Sequence, residues 1–452
     1  CQSCGRQADI LESVRPTEHT SPVAAYTLQC HCPECEAEGL NYNGRYFKTP
    51  DERDIDRLIK AEREWDGRKD NDLVDYWPRV ECWDAYMMRA NGGVNQGWGY
   101  THWWKMFSAR QLLGHTQLLR QIVSINTDAW PLDVREQVLG AFQQFLRNQN
   151  MFAFYHVGRD CLAPFLGNSN FHPKQLTVEV GMFSSQGYGP WRSSSSAVVE
   201  GVTWANEPWE PVILPDDATT KSQRFALADP VQPGSCMLLC TSSTELGEAN
   251  GRSYDLAITD PPFGNNLFYA DLADFFYVWL RIPLLKWYEG LGERKYFEPE
   301  RTPHAVEAID NTVEHPDDRE AWECSPLVEA KHFQKIRELT GDETIEERDR
   351  NPLYRPQPSS EFYCNTLTAC WAEAGRLLKP AGLMAFTFHH SEDAPWVDVL
   401  KSLFDAGYIL IATYPVRSDE TKGEAGAFGS RKIEYDIVHV CRKRLEDPQP
   451  VS

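Results

Sequence analysis

The run Ser253-Tyr254-Asp255-Leu256-Ala257-Ile258-Thr259-Asp260 is halted by Pro261-Pro262-Phe263, and this junction constrains the fold more than any other stretch. A short, mostly apolar segment bounded by proline reads as a buried strand, because proline lacks the N–H that would extend a ladder. Beyond the prolines the chain alternates between two patterns. Helical spacing runs over Phe268 to Leu285, Cys364 to Leu378 and Trp396 to Ala406, and apolar strands are predicted over Leu383 to Phe388, Tyr408 to Tyr414 and Asp436 to Cys441. Lys379-Pro380-Ala381-Gly382 reads as a helix stop and turn. The resulting β-α-β-α-β-β order predicts an α/β fold, the second half of a doubly wound sheet.

In open sheets of this kind the chemistry lies beyond the carboxyl ends of the strands, where Asp260-Pro261-Pro262-Phe263 stands. Two prolines stiffen the backbone and leave the Pro261 carbonyl free to accept. A carboxylate beside that carbonyl makes a pair of acceptors suited to an exocyclic amino group, and Phe263 offers a flat face to a base taken out of its helix. A fixed negative group also stabilises the positive charge that grows on an amine as it is alkylated. The plain alternative is a Pro-Pro turn that only ends a strand.

At 452 residues the chain fits about three domains. The remaining sequence divides accordingly: a cysteine-rich segment over 1–46, a helical or linking region over 47–180, a Gly- and Ser-rich loop segment over 181–234, and the sheet-forming region over 235–452 with a charged insertion at 289–360. Ser108 is placed to cap the helix that begins Ala109-Arg110-Gln111, and Val134 to Asn148 carries apolar residues at helical spacing. Arg192-Ser-Ser-Ser-Ser196 reads as part of a solvated loop. No apolar run reaches the roughly 20 residues of a membrane helix, so no membrane partner is expected. Acidic residues outnumber basic ones by 66 to 45, a formal charge of -21, which excludes holding nucleic acid by bulk electrostatics but leaves room for a local basic groove.

Five of the thirteen cysteines fall within the first 35 residues. Cys1-Gln-Ser-Cys4 and Cys32-Pro-Glu-Cys35 are two CxxC knuckles, and together they predict one tetrahedral thiolate site for a structural Zn2+ with Cys1, Cys4, Cys32 and Cys35 as ligands. Cys30 is the alternative to Cys32. A segment so short gains its fold from the metal rather than from apolar burial. Reduced cysteines imply a reducing, cytoplasmic setting. The chain opens inside the first knuckle, so it is expected to be part of a longer polypeptide or a split product.

The motif and its flanks carry a resemblance. Thr259-Asp-Pro-Pro-Phe-Gly-Asn-Asn-Leu-Phe-Tyr-Ala-Asp-Leu-Ala-Asp-Phe-Phe-Tyr-Val-Trp-Leu-Arg281 is similar to the zinc-ribbon-containing, adenine-specific DNA methyltransferases that use S-adenosylmethionine and are often encoded in bacterial and archaeal anti-phage clusters. Phe107-Ser-Ala-Arg-Gln-Leu-Leu113, Arg376-Leu-Leu-Lys-Pro-Ala-Gly382, Phe388-His-His390, Ala412-Thr-Tyr-Pro-Val416 and Val440-Cys-Arg-Lys-Arg444 resemble further segments of that family.

The resemblance implies a Rossmann-like methyltransferase sheet, partial in this chain, acting on DNA. By it Asp260 and the Pro261 carbonyl accept from the adenine amino group, Pro262 holds the turn, and Phe263 stacks on the flipped base. Asn265, Asn266, Tyr269 and Asp271 line the pocket or shape the turn, with His389 and His390 at the same cleft. The family's Gly-rich donor turn, Asp-Pro-Phe-x-Gly-x-Gly, does not occur here; Gly426-Ala-Phe-Gly-Ser430 is the nearest Gly-rich stretch. The implied S-adenosylmethionine half therefore lies upstream or on a separate partner chain, with Thr241 and Ser242 the candidate donor contacts in this one and other defence subunits as further partners. Two other readings stay open: a non-catalytic DNA-recognition or scaffold subunit of a defence complex, and an RNA methyltransferase acting on a guanine amino group.

Overall fold

Alternating apolar side chains build a four-stranded sheet in the C-terminal part of the chain, and helices cover one of its faces. The structure is a computed structural model that describes residues 24–82, 99–125, 129–156, 161–165, 177–185, 187–213, 222–227, 236–265, 267–294, 296–298, 300–312, 315, 359–390, 393–417 and 435–444. Cys1, Cys4, Asn266, Gly426 to Ser430 and the insertion over 316–358 lie outside the described residues. The chain is a mixed α/β protein that divides into two units. The first comprises 1–236, 271–292 and 298–302; the second comprises 237–270, 293–297 and 303–452.

In the first unit, β1 (Leu28–His31) pairs antiparallel with β2 (Arg45–Lys48), and the one-turn helix α1 (Pro33–Ala37) sits between them. Helix α2 (Glu52–Arg68) opens with a capping box in which Asp51 and Asp54 satisfy each other's backbone N–H groups. Helix α3 (Ala109–Val123) has a second capping box, Ser108 with Gln111, as the sequence predicts. Helix α4 (Leu132–Asn148) is next, with Leu139, Phe142, Phe145 and Leu146 buried. Two short hairpins, β3 (Phe154–His156) with β4 (Cys161–Ala163) and β5 (Trp209–Ile213) with β6 (Ser222–Ala226), flank the helix α5 (Trp191–Asn206).

Helix α5 corrects the sequence expectation of a loop over 181–234. Arg192-Ser-Ser-Ser-Ser196 forms its first turns. Composition is overridden by anchoring: Pro190 enters with φ -64, already near the helical value, and the Trp191 ring packs at 5.7 Å against Phe145 of α4.

The second unit holds β7 (Tyr254–Thr259). Helix α6 (Tyr269–Trp287) begins there with Tyr269 and Ala270 and continues into the first unit, where Phe275 and Trp279 lie against Phe107. Then come α7 (Ser359–Leu377), β8 (Leu378–Phe388), α8 (Asp393–Asp405), β9 (Tyr408–Arg417) and β10 (Tyr435–Lys443). The strand order is β7-β8-β10-β9, with β7 parallel to β8 and β10 antiparallel to both of its neighbours. Met384, Phe386 and Phe388 of β8 point to one face, where Tyr363, Leu367 and Trp371 of α7 and Val399 and Leu403 of α8 bury them.

The four strands stand where the sequence predicts them, with one correction. Strand β8 starts at Leu378, so Lys379-Pro380-Ala381-Gly382 is not a turn ahead of the strand but a bulge within it. Tyr254 pairs with Leu378 and Leu256 with Leu383. The Lys379 ammonium bonds both Asp255 carboxylate oxygens at 2.8 and 2.9 Å, and glycine suits position 382 because a Cβ there would sit tightly, 3.0 Å from the Lys379 carbonyl oxygen and 3.2 Å from that of Asp255.

Candidate functional site

Asp260 is the first residue beyond β7, and its side chain is exposed at the end of the strand. Its carboxylate accepts a hydrogen bond from the Thr387 hydroxyl on the neighbouring β8. Pro261 is buried and Pro262 and Phe263 are partly so. The turn is held from the core side by one hydroxyl. Tyr363 on α7 donates to the Pro262 carbonyl at 2.6 Å and accepts from the Gly264 N–H at 3.2 Å. Pro262 is so engaged, whereas the Pro261 carbonyl has no donor among the described residues.

Gly264 lets the chain leave the motif. Its φ of +60 lies in the left-handed region, and a Cβ would meet Pro395 at 3.1 Å and His390 Nε2 at 3.8 Å. Its carbonyl accepts from the Asp310 N–H at 3.2 Å, and the Ser359 hydroxyl donates to the Asp310 carboxylate. The start of the insertion is therefore a strap across the motif turn. Glu307, on the same strap, accepts from the Ala270 N–H at 3.1 Å at the head of α6.

Phe263 packs edge-on against Phe388, with centroids 5.1 Å apart, and Phe388 in turn meets Trp396. The ring is thus oriented by the core while remaining partly accessible. Tyr269 is half exposed and lies in the field of Asp260. Partial burial first, then the Asp260 and Glu307 carboxylates, push its phenol above the ordinary tyrosine value. Asn265 is exposed at the turn. His390 is buried beside Gly264, and its carbonyl accepts from the Trp396 indole at 3.1 Å; His389 sits edge-on to the same indole at 6.4 Å. Asp271 is 2% exposed and belongs to the first unit, so its carboxylate is not presented to solvent as a pocket lining would be.

The structure thus brings together Asp260, the two prolines, Phe263, Tyr269 and His390. It also supplies three groups that sequence reasoning missed: Tyr363, Thr387 and the strap at Glu307 and Asp310. Gly264 alone had a local signal, since glycine directly after a rigid Pro-Pro-aromatic turn marks a backbone that needs positive φ.

No family model, curated protein or solved structure matches this chain. The chemistry of the site therefore rests on its own residues.

Thr241 and Ser242 are engaged locally: the Thr241 hydroxyl donates to the Glu245 carbonyl at 3.2 Å, and the Ser242 hydroxyl lies 2.9 Å from that of Thr244 and accepts from the Thr244 N–H at 3.2 Å. The turn is tied to α7 through Leu246 N–H and the Glu373 carboxylate, 2.6 Å apart. These hydroxyls fit a self-contained turn and do not by themselves form a nucleotide pocket.

At the other end of the chain, Cys32 caps α1 and Cys35 lies one turn on. Backbone and side-chain hydrogen bonds from Cys35 lower the Cys32 thiol pKa, which favours the thiolate that a soft metal takes. Gly44 closes this knuckle: the Cys32 N–H bonds its carbonyl at 2.8 Å, and a Cβ on Gly44 would stand 2.2 Å from the Cys32 carbonyl oxygen. Cys32 and Cys35 fit half of a thiolate site. Among the described residues no group of three or more His, Cys, Asp or Glu is gathered to hold a metal ion. No described helix is long and apolar enough to cross a membrane.

Proposed function

We propose that the second unit is the target-base half of a DNA adenine N6-methyltransferase of the zinc-ribbon type, working in anti-phage defence or restriction-modification. The observation that carries this reading is the motif turn itself: an exposed carboxylate, held by Thr387, beside a free Pro261 carbonyl on a backbone locked by Tyr363. Both acceptors sit at the carboxyl end of a parallel strand. The strand order supports the same reading, because a parallel pair closed by an antiparallel strand inserted before the last one completes one side of a Rossmann-like sheet.

On this reading the adenine amino group donates its two N–H bonds to Asp260 and to the Pro261 carbonyl, which turns the nitrogen lone pair toward its attack. Phe263 supports the ring of the flipped base, and Tyr269, Asn265 and the histidines border the cleft. As positive charge develops on N6, the Asp260 carboxylate stabilises it, and the excess proton then passes to solvent, so no dedicated base is required. S-adenosylmethionine supplies the electrophilic methyl. Among the described residues Thr241 and Ser242 are spent on their own turn and do not make a donor pocket, and we assign the donor to another half, upstream or on a partner chain. The N-terminal knuckle is read as half of a structural zinc site completed by Cys1 and Cys4.

The test is transfer of label from S-adenosylmethionine to unmethylated DNA by the chain with its co-purifying partner. Label in adenine N6 is expected, and Asp260→Ala should lower it at least about a hundredfold, the cost of removing one pre-placed electrostatic group. Label in RNA guanine would instead favour that alternative. If no combination transfers label and Asp260→Ala leaves DNA binding intact, the scaffold reading replaces the enzymatic one.

A further inference from the structure

We infer that the first unit carries a pocket for a single guanine base, formed where α2, α3 and the turn at Phe183 meet. A cavity of about 260 Å3 lies there, lined by Arg68, Gln117, Leu118, Arg120, Gln121 and Phe183. Pockets that take whole drug-sized ligands run from roughly 300 to 1,000 Å3, so this one has room for one ring system and not for a dinucleotide. Arg68 is the last residue of α2. Gln117, Arg120 and Gln121 stand on one stripe of α3, because residues three and four apart are neighbours on a helix.

Hydrogen bonds within the cluster decide which groups remain for a ligand. Asp72 holds Arg68 through Nε and Nη2 at 3.1 and 2.7 Å, and Glu64 takes its Nη1 at 2.8 Å, so every nitrogen of Arg68 is engaged. Asp72 also accepts from Arg120 Nη1, which leaves the Nε–Nη2 edge of Arg120 without a partner among the described residues. Gln117 reaches Glu64 through Nε2 at 3.3 Å and keeps its carbonyl, while the exposed Gln121 amide has no partner among the described residues. The pocket therefore offers one edge of two parallel donors beside two amide carbonyls. Guanine is the complement: O6 and N7 are adjacent acceptors, and its ring N–H and amino group donate. Adenine instead sets an amino donor beside N7, which would face Arg120 with like groups. Charge agrees, since Asp72 and Glu64 balance the two arginines and the site favours a neutral base over a bare phosphate.

Phe183 supplies the stacking face. It is 61% exposed, yet its backbone is held: Met182 seats on α3 at Gly114, where a Cβ would stand 2.5 Å from Met182 Sδ, and the Met182 carbonyl accepts from the Trp191 N–H at 2.8 Å. The ring itself leans on Phe145, with centroids 6.1 Å apart. A fixed, outward aromatic ring beside unpaired amides is the arrangement on which a base stacks.

Equilibrium dialysis of the full chain against labelled guanosine monophosphate, and against short oligothymidine strands carrying one guanine or one adenine, tests the site. One guanine per chain should bind, about tenfold more tightly than its adenine counterpart, the discrimination of a bidentate pair. Phe183→Ala should weaken binding about tenfold by removing the stack. Arg120→Lys keeps the ion pair with Asp72 but not the two-donor edge, and should erase the preference for guanine. Gln121→Leu gives a second, independent loss should Phe183→Ala fail to fold. Binding of the free nucleotide marks that as the source, and binding of the guanine strand alone marks a base in a nucleic acid; in either case the Phe183 and Gln121 variants must weaken it. Asp260 belongs to the other unit, and Asp260→Ala should leave the binding unchanged. No binding of either form at about 1 mM, equal binding of the adenine forms, affinity untouched by Phe183→Ala and Gln121→Leu, or loss with Asp260→Ala alone overturns the inference. Label transfer is read separately, so failure of this pocket leaves the methyl-transfer reading standing, and the reverse holds as well.

Discussion

Tyr363 shows how much of the motif is set by a residue about a hundred positions away. Its hydroxyl is fully buried and serves two backbone groups at once, the Pro262 carbonyl and the Gly264 N–H. Tyr363→Phe leaves both without that partner, at a cost of about 1–3 kcal/mol, read as a lower urea midpoint. On the proposed function it should also lower label transfer, because the Pro261 carbonyl loses its fixed direction; a loss of stability with undiminished transfer would separate the clamp from the chemistry. His115 on α3 is a second buried polar residue with a measurable signature. Burial pushes its pKa down to about 4, so the ring is neutral and donates from Nε2 to the Gln149 carbonyl at 2.7 Å. Unfolded histidine takes its proton near 6.5, so between the two values the unfolded chain binds more protons. Stability is therefore full above about pH 6.5 and falls as the pH drops toward 4, by up to about 3 kcal/mol. Unfolding midpoints from pH 7.5 to 4.5 should show this slope, and His115→Gln should flatten it while lowering stability at neutral pH.

At the scale of elements, the features that could be read in advance are those set by local pattern. Strands β7, β9 and β10 are apolar runs with sharp ends, and Ser108 with Gln111 is a capping box that local sequence specifies. Two elements escaped because distant contacts overrule their composition. Four serines in a row favour loop, yet Trp191 docked on Phe145 makes them a helix. Lys379 to Gly382 has turn composition, and it does turn, but as a bulge that Asp255 on the facing strand holds in place. Likewise Asp260 and Phe263 were legible from the tetrapeptide, whereas Tyr363 and Thr387 were not, since nothing local marks a partner more than a hundred residues off. The cysteine knuckle remains a proposal from local pattern, with Cys32 and Cys35 as its described half. On the proposed zinc site, metal analysis of the chain is expected to give one zinc, and Cys32→Ser to remove it and unfold β1 and β2, because thiolate ligation would take the place of a core there. A metal-free chain whose N-terminal hairpin exchanges its amides as slowly as the helices would dismiss the site.

At the scale of the whole molecule, the two faces of the sheet make opposite demands on the same chemistry. Phe386 is 1% exposed and stacks on His439 at 4.9 Å inside the helix-covered face, so a charge there has neither water nor a partner. Ile258 and Tyr414 lie on the bare face, where a lysine tip reaches solvent directly. Phe386→Lys should therefore unfold the second unit, whereas Ile258→Lys and Tyr414→Lys together should shift the urea midpoint by the equivalent of only about 0.5 kcal/mol. The paired lysines should also reduce light scattering at high concentration, since they break up an apolar patch and blunt an open strand edge. The formal charge of -21 makes copies of the chain repel one another, so this gain should grow as salt screens that repulsion. A large loss of stability from the paired lysines would mean that this face is covered within the chain itself.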